Sequence, residues 1–512
     1  MTTRSVEPEP AIAPSPGATL IGRLEAVVTR NAARPALRAG GSTWTYGQLW
    51  ERAGAIASDL IARHDQAPGA RIGVLGENDP AYLAAYVGIL RGGCVPVPLN
   101  PLLRPEEVAT QLELVGASTC LTGTVTASAA TTIAARLTVL PIAELGIRDH
   151  VTAALPPIGP SDDATILLTS GTTGSPKGAV QTHATMLHAV DQLHRSLPYS
   201  PSDVMLAFLP FFAAIPEQIW PTLLAGGTLE ILPRFDVAAV DDACDRATTL
   251  DAVPTLMARL IDGVPARRLA SLRWLLFASE PMPPALLARW WDALPTVRTY
   301  EFYGMTELLT ISVAAPELLR AAPTSVGRPF SSSRVAIVDD QGLPVAPGEA
   351  GEVVCASPAR MRGYLPDGID PTTWSLPDGS MRTGDLGRLD DEGRLHLTGR
   401  IKDLIISGGL NIAPAEIEAV AAQHDAVAAA VVVGIPDARW GETPVLVALP
   451  KPGRTADPLE LLAFCRSRLA SFKRPRFAVV VDELPQTGIG KSSKAAIRER
   501  ILRGDLELTG EG

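Results

Sequence analysis

Between Leu167 and Gly178 the chain reads Leu-Leu-Thr-Ser-Gly-Thr-Thr-Gly-Ser-Pro-Lys-Gly, a composition suited to holding an anion. Glycine lets the backbone come close to a charged group, and the backbone N–H groups then point at it. Ser170, Thr172, Thr173 and Ser175 offer hydroxyl donors, and Lys177 offers charge. An apolar run feeding directly into such a loop reads as a strand that ends in a triphosphate cradle. The spacing is not GxxxxGK[ST], so it is not the Walker pattern. Lys177 carries extra weight. The chain has six lysines (Lys177, Lys402, Lys451, Lys473, Lys491 and Lys494), and Lys177 alone falls in its first 400 residues. Arginine supplies generic positive charge elsewhere. A lysine retained in that background suits specific work, because it is a flexible point charge that can follow a moving phosphate. A plain polar surface loop is the simpler alternative.

Four further clusters follow in order. They are Tyr303-Gly304-Met305-Thr306-Glu307; Thr383-Gly384-Asp385-Leu386; Gly399-Arg400-Ile401-Lys402-Asp403 with Ser407-Gly408-Gly409-Leu410-Asn411-Ile412; and Leu484-Pro485-Gln486-Thr487-Gly488-Ile489-Gly490-Lys491. The Thr-Ser-Gly-Thr-Thr-Gly-Ser-Pro-Lys-Gly stretch resembles the phosphate loop of the adenylate-forming superfamily. That superfamily holds acyl- and aryl-CoA synthetases, peptide-synthetase adenylation domains and beetle luciferases. The other clusters resemble its later motifs, at similar intervals, over about residues 20–505. The chain is most similar to stand-alone acyl-CoA synthetases, including those of natural-product and terpenoid pathways.

The resemblance implies an activity: a carboxylic acid reacts with ATP to give acyl-AMP and pyrophosphate, and the acyl group then passes to coenzyme A. It also implies roles. Thr169, Ser170, Gly171, Thr172, Thr173, Gly174 and Lys177 would hold the phosphates. Ala278, Ser279, Glu280 and Pro281 would meet adenine through their backbone, and Tyr303, followed by Gly304 and Met305, would stack on it. Asp385, in a tight Thr-Gly-Asp turn, would accept hydrogen bonds from the ribose diol, with Arg400 reaching ribose or phosphate. Joining two anions requires positive charge on the transition state and Mg2+ on the phosphates. Glu307 is a hard carboxylate ligand for that ion, with Thr306 beside it. Lys491 would bridge the acid to the α-phosphate, while Lys494 is read as an ordinary solvated lysine. Lys402 would be the hinge about which a small domain turns, and Ser407, Gly408 and Gly409 would line the coenzyme A channel. The bland readings are an exposed acid at a helix start for Glu307, an Asx turn for Asp385 and core packing for Tyr303.

The sequence leaves the family pattern around the acyl pocket, expected to involve Phe211, Phe212, Ala213, Ala214, Glu301 and Phe302. Many members read Leu-Pro-Leu-Phe-His where this chain reads Leu209-Pro210-Phe211-Phe212-Ala213. Many carry glycine where Phe302 stands. Amino-acid-binding members place an aspartate in the first region, and none occurs there. These departures point to a bulky, mostly apolar acid, alicyclic or polycyclic. Two rival readings are adenylation alone, with an acyl carrier protein as acceptor, and a non-catalytic nucleotide-binding homologue. The second would be expected to have lost Lys491 or Glu307.

The elements that position these residues follow from pattern. Strand candidates at Arg71–Leu75 and Cys94–Pro98 flank a helix at Pro80–Arg91, which ends at Gly92-Gly93. This is a βαβ rhythm. Further strands are expected at Thr165–Leu168, Val204–Phe208, Trp274–Phe277 and Val335–Val338, and a more purely β region at about residues 335–397. The fold class is α/β: a large N-terminal domain of layered sheets with a β-rich lobe, and a small mobile α+β C-terminal domain. The expected division is a disordered tail over 1–17, the AMP-binding domain over 18–400 and the mobile domain over 401–512.

Composition bounds the rest. The net charge of −10 would repel nucleic-acid phosphates. Cys94, Cys120, Cys244, Cys355 and Cys465 are odd in number and scattered, which excludes a disulfide framework and suits the cytoplasm. The histidines form no ligand pair for a structural metal. Neither a signal h-region nor an 18-residue apolar run is evident. A monomer or homodimer without membrane insertion is expected.

Overall fold

The computed structural model describes residues 18–125, 127–147, 153–169, 176–485 and 493–510. The expected tail over 1–17, the loop residues Ser170, Gly171, Thr172, Thr173, Gly174 and Ser175, and Lys491 lie outside these.

The first βαβ unit forms as expected. Arg71–Leu75 and Val95–Leu99 are parallel neighbours, joined through the helix Pro80–Arg91. Asp79 caps that helix by accepting from the Ala81 N–H, and Pro80 fills its first turn, where a missing N–H costs nothing. With Thr119–Thr122 and Thr138–Pro141 these strands complete a four-stranded parallel sheet. The side chains of Val95–Leu99, and all but Arg71 of Arg71–Leu75, are buried on both faces, which is why those two runs are nearly continuously apolar.

A nine-stranded sheet forms the larger layer. Its order is Arg328–Pro329, Ser312–Ala314, Arg298–Tyr303, Trp274–Ala278, Thr249–Ala252, Val204–Ala207, Thr228–Ile231, Pro35–Ala39 and Ser42–Thr45. The inner strands pair in parallel and the edges antiparallel. Alternation along each strand separates two apolar cores. Met205, Ala207, Trp274, Leu276, Tyr300 and Phe302 face one core; Leu206, Leu250, Leu275 and Phe277 face the other.

Two smaller antiparallel sheets follow. Asp163–Thr169 pairs with Lys177–Thr182, which pairs with Gly363–Leu365. Arg334–Val338, Gly351–Ala356, Met381–Leu389 and Leu395–Arg400 make the β-rich lobe. From Ile405 onward a separate six-stranded sheet carries the helices Pro414–Ala421, Pro458–Arg466 and Lys494–Arg503. Its apolar side chains, among them Ile417, Leu446, Leu461 and Ala478, pack with one another. The fold is thus a large N-terminal α/β domain and a small α+β C-terminal one. Among the described residues no helix is long and apolar enough to cross a membrane.

Candidate active site

Of the phosphate-loop candidates, Thr169 and Lys177 lie in two antiparallel strands, Asp163–Thr169 and Lys177–Thr182. The two face each other as the last described pair of that ladder. Lys177 projects toward the third strand of that sheet, its Nζ 5.2 Å from the ring centroid of Tyr364. The Tyr364 hydroxyl in turn donates to Glu307 Oε1 at 2.5 Å. Tyr364 therefore joins the lysine of the first motif to the carboxylate of the second, although about 130 residues of chain lie between those two. Tyr364 went unnoticed in the sequence, where a Gly-Tyr-Leu run inside a glycine-rich stretch carries no signal of its own.

Glu307 is not on a helix start and not exposed. It lies in the turn after the strand Arg298–Tyr303, at 8% exposure. Two hydrogen bonds to its carbonyls hold the turn: the Gln181 side-chain amide donates to the Thr306 carbonyl at 2.8 Å, and the Met361 N–H donates to the Glu307 carbonyl at 2.7 Å. Gly304 is needed here for space, since a β-carbon would overlap the Leu309 carbonyl oxygen. Met305 packs beside Tyr303 and Leu308 in one apolar cluster with Met361 and Met381, which ties the turn to the β-rich lobe.

Tyr303, Asp385 and Arg400 meet. The Tyr303 hydroxyl donates to Asp385 Oδ2 at 2.8 Å, and Arg400 Nε lies 2.8 Å from Asp385 Oδ1. Burial first, then the neighbouring Asp385 charge, raises the Tyr303 hydroxyl well above the usual phenol range, so it is a fixed donor. Asp385 corrects one expectation. It lies within the strand Met381–Leu389, paired with Arg400 across the ladder, and not in a tight turn. The left-handed Gly384 and a register shift just after Leu386 turn the carboxylate toward Tyr303.

Ala278 ends the strand beside Phe302, and Ser279 follows with φ +80°, uncommon for a residue with a side chain. The Glu280 carboxylate is engaged by Thr255, whose N–H and hydroxyl donate at 3.1 and 2.7 Å. Pro281 is exposed. This leaves the backbone of the segment as its contact surface.

The six residues expected at the acyl pocket do not share one wall. Phe211 and Phe302 pack in the same core, while Ala214 belongs to the core beyond the sheet. Glu301 neighbours Phe302 in one strand and so points to the opposite face, level with Phe277. Burial pushes its carboxyl up to about 8. Phe212 and Ala213 are half-buried. A π-turn over Ile215–Ile219 follows, a form that frequently marks functional sites and that the sequence reading did not anticipate.

Lys402 is exposed on a short 3-10 turn, Ile401–Asp403, between the lobe and the C-terminal sheet. Ser407 is buried, and Gly408 and Gly409 make the turn of a hairpin at φ +60° and +80°. The Gly408 N–H donates to the Trp440 carbonyl at 2.8 Å. Arg476 and Arg439 lie over the Trp440 ring, 4.5 and 4.9 Å from its centroid. Lys494 is half-buried; it opens a helix and pairs with Glu418 at 2.8 Å.

Residues 24–365 match the model of the family described as AMP-binding enzyme, and residues 416–491 match its C-terminal domain. Feruloyl-CoA synthases of Amycolatopsis and Streptomyces species are 37% identical over 481 residues, covering 91% of this chain and 96% of theirs. The solved o-succinylbenzoate CoA synthetase of Bacillus subtilis, bound to its acyl-adenylate intermediate, is 29% identical with a TM-score of 0.85 over 95% of this chain and 98% of that one. ATP-bound MatB of Rhodopseudomonas palustris is likewise 29% identical, with a TM-score of 0.86 over 94% and 98%. The chain belongs to the AMP-binding enzyme family and is an adenylate-forming acid–CoA ligase.

Proposed function

We propose that this enzyme joins a carboxylic acid with a bulky, largely apolar body to AMP at the expense of ATP, and then passes the acyl group to coenzyme A. The carrying observation is the line Lys177–Tyr364–Glu307, which sets a cation and a hard carboxylate on either side of one tyrosine beside the phosphate hairpin. In the first step a carboxylate oxygen of the acid bonds to the α-phosphorus and the bond to pyrophosphate breaks. Lys177 and the loop from Ser170 to Gly174 hold the leaving phosphates. Lys491 draws the acid and the α-phosphate together. Asp385 receives the ribose hydroxyls, Arg400 supports it, and Tyr303 stacks on adenine.

Mg2+ fits this donor set. Glu307 is a buried hard carboxylate whose one oxygen is already fixed by Tyr364, and Mg2+ characteristically takes one or two carboxylates plus substrate phosphates. The ion would neutralise charge on the phosphate oxygens. In the second step the thiol bonds to the acyl carbon and AMP leaves. We place the boundary between the two domains at residue 400, with Lys402 as hinge. The cationic stack of Arg439 and Arg476 on Trp440, next to Gly408, supports a phosphate-rich acceptor such as coenzyme A. The buried free cysteines support residence in the cytoplasm.

Transfer to a carrier protein is the second reading. It is favoured by a fatty acid–acyl-carrier-protein ligase, ScoC of Streptomyces coeruleorubidus, 32% identical over 91% of this chain and 93% of that protein. ATP–pyrophosphate exchange over a panel of acids tests the first step. Thioester formation with coenzyme A against that with a carrier protein separates the acceptors. Exchange with no acid in the panel would overturn the adenylation reading.

A further inference from the structure

The nine-stranded sheet carries a carboxyl group that the adenylation chemistry does not use. Asp251, in the strand Thr249–Ala252, is 3% exposed, and its Oδ2 has no hydrogen-bond partner. Its register is Leu276 on the next strand and Tyr300 on the one beyond. Side chains level with one another in parallel strands share a face, so Asp251 points to the side that carries Phe302 and Ala278. Those two stand one side-chain level higher, ~6.6 Å along the strands, where the acid's carboxylate would meet ATP.

Other polar groups surround this position. The π-turn Ile215–Ile219 contributes Glu217, whose charge bears on Asp251, and Gln218, fully buried with neither amide atom partnered. Tyr199 donates to the Glu217 carbonyl at 3.3 Å and lies edge-on against Trp274, with ring centroids 4.9 Å apart. Trp274 belongs to the same sheet face, and its indole N–H is also unpartnered. A carboxyl and an amide left without partners in an apolar core are costly unless something supplies a donor. On the adenylation reading the body of the acid would lie along this sheet face, below Phe302 and Ala278.

We infer that the acid carries a hydrogen-bond donor, a hydroxyl or an ammonium, at the end away from its reacting carboxylate, and that Asp251 receives it. This rests on the adenylation reading and narrows its substrate: an apolar body with a polar tip. Asp251 Oδ2 and Gln218 Oε1 are both unpartnered oxygens that can accept from such a donor. A methyl-ended analogue leaves both Asp251 and Gln218 unsatisfied, which is the strongest basis for rejection that a pocket can have.

The test is ATP–pyrophosphate exchange with two sets of matched acids. One set is heptanoate, ω-hydroxyhexanoate and ω-aminohexanoate. The other is phenylpropanoate carrying a para methyl, hydroxyl or aminomethyl group. In at least one set the hydroxyl or amino acid should exceed its methyl partner in kcat/KM by about tenfold or more. Asp251→Leu should abolish or invert that ratio. Asp251→Asn, which keeps the volume, should retain a hydroxyl preference and lose an ammonium one. The inference is overturned if the methyl-ended acids match or exceed their partners in both sets with the wild-type enzyme, a comparison that needs no variant to fold. A ratio that persists in Asp251→Leu overturns it as well, and is what a buried water on Asp251 would produce. Exchange with no acid would overturn the adenylation reading, and this inference with it.

Discussion

In the function proposed above, Lys491 is the residue whose charge the first step depends on most. Losing one charge-assisted contact to a transition state costs roughly 2.7–4 kcal/mol, a factor of about 10²–10³. Lys491→Ala should slow pyrophosphate exchange by that factor and leave thioester formation from synthetic acyl-AMP nearly intact. Equal loss in both halves would remove it from the adenylation step. Tyr364 is a positioning residue for Glu307. Tyr364→Phe deletes one hydroxyl and leaves a buried carboxylate oxygen without its donor. If Glu307 holds Mg2+ as proposed, such a loss of support around the ligand weakens the metal by about 10–100-fold. A Mg2+ titration of the exchange rate should shift to higher concentration by that factor, with little change at saturating Mg2+. Glu301 bears on stability. Its carboxyl is raised by burial from the ordinary 4.5 to about 8, so the fold prefers it neutral. A group raised on folding gives its full stability below the unfolded value and loses it as pH rises through the folded one. Stability should therefore fall between about pH 4.5 and pH 8 and level off above, by on the order of 4–5 kcal/mol at about 1.4 kcal/mol per pH unit. Glu301→Gln should flatten that slope in denaturant melts at several pH values.

Each element of the site is held by a local backbone necessity. The hairpin brings Thr169 and Lys177 opposite each other because its strands pair up to that register. The turn from Tyr303 to Glu307 closes tightly on Leu309, which itself sits at φ +55°. Only glycine at 304 allows this approach. Gly304→Ala must push the turn off Leu309 and displace Glu307 with it. The expected cost is at the upper end of about 1–3 kcal/mol, the range for overpacking, together with a fall in exchange rate at saturating acid. An unchanged melting temperature would show that the turn has room that its geometry denies. The hairpin over Ile405–Ile412 depends in the same way on Gly408 and Gly409, whose left-handed backbone any side chain would strain.

Across the whole molecule, the two half-reactions place different demands on one pair of domains. The link between them is short and holds one exposed lysine, Lys402, on a 3-10 turn. Proline there fixes φ and removes a donor. If the small domain turns about Lys402 between steps, Lys402→Pro should leave pyrophosphate exchange near wild type and reduce thioester formation, measured in the same preparation. Wild-type rates in both steps would move the hinge elsewhere. The C-terminal sheet has a core of its own, so such a turn need not disturb the packing of the large domain.

The motif residues were legible in the linear sequence because their chemistry demands particular residue types at short spacing. Glycines near an anion, a lysine where arginine is the habit, and a carboxylate after a glycine turn all leave a local trace. The α/β rhythm was legible for a related reason: strands buried on both faces must be continuously apolar, and the helix after Arg71–Leu75 had its stop in view at Gly92-Gly93. What depends on partners distant in the chain was not legible. Tyr364 reaches Glu307 only because Gly363–Leu365 joins the edge of the phosphate hairpin, a pairing that no local pattern announces. Adjacent residues Glu301 and Phe302 were both expected at the acyl pocket, and the sheet sends them to opposite faces. Asp251 carries no motif of its own, and register alone sets it level with Tyr300 and below Phe302. Sequence dictates which atoms can do chemistry; tertiary structure decides which of them share a face, because pairing across a sheet is set by burial of whole surfaces and not by neighbours in the chain.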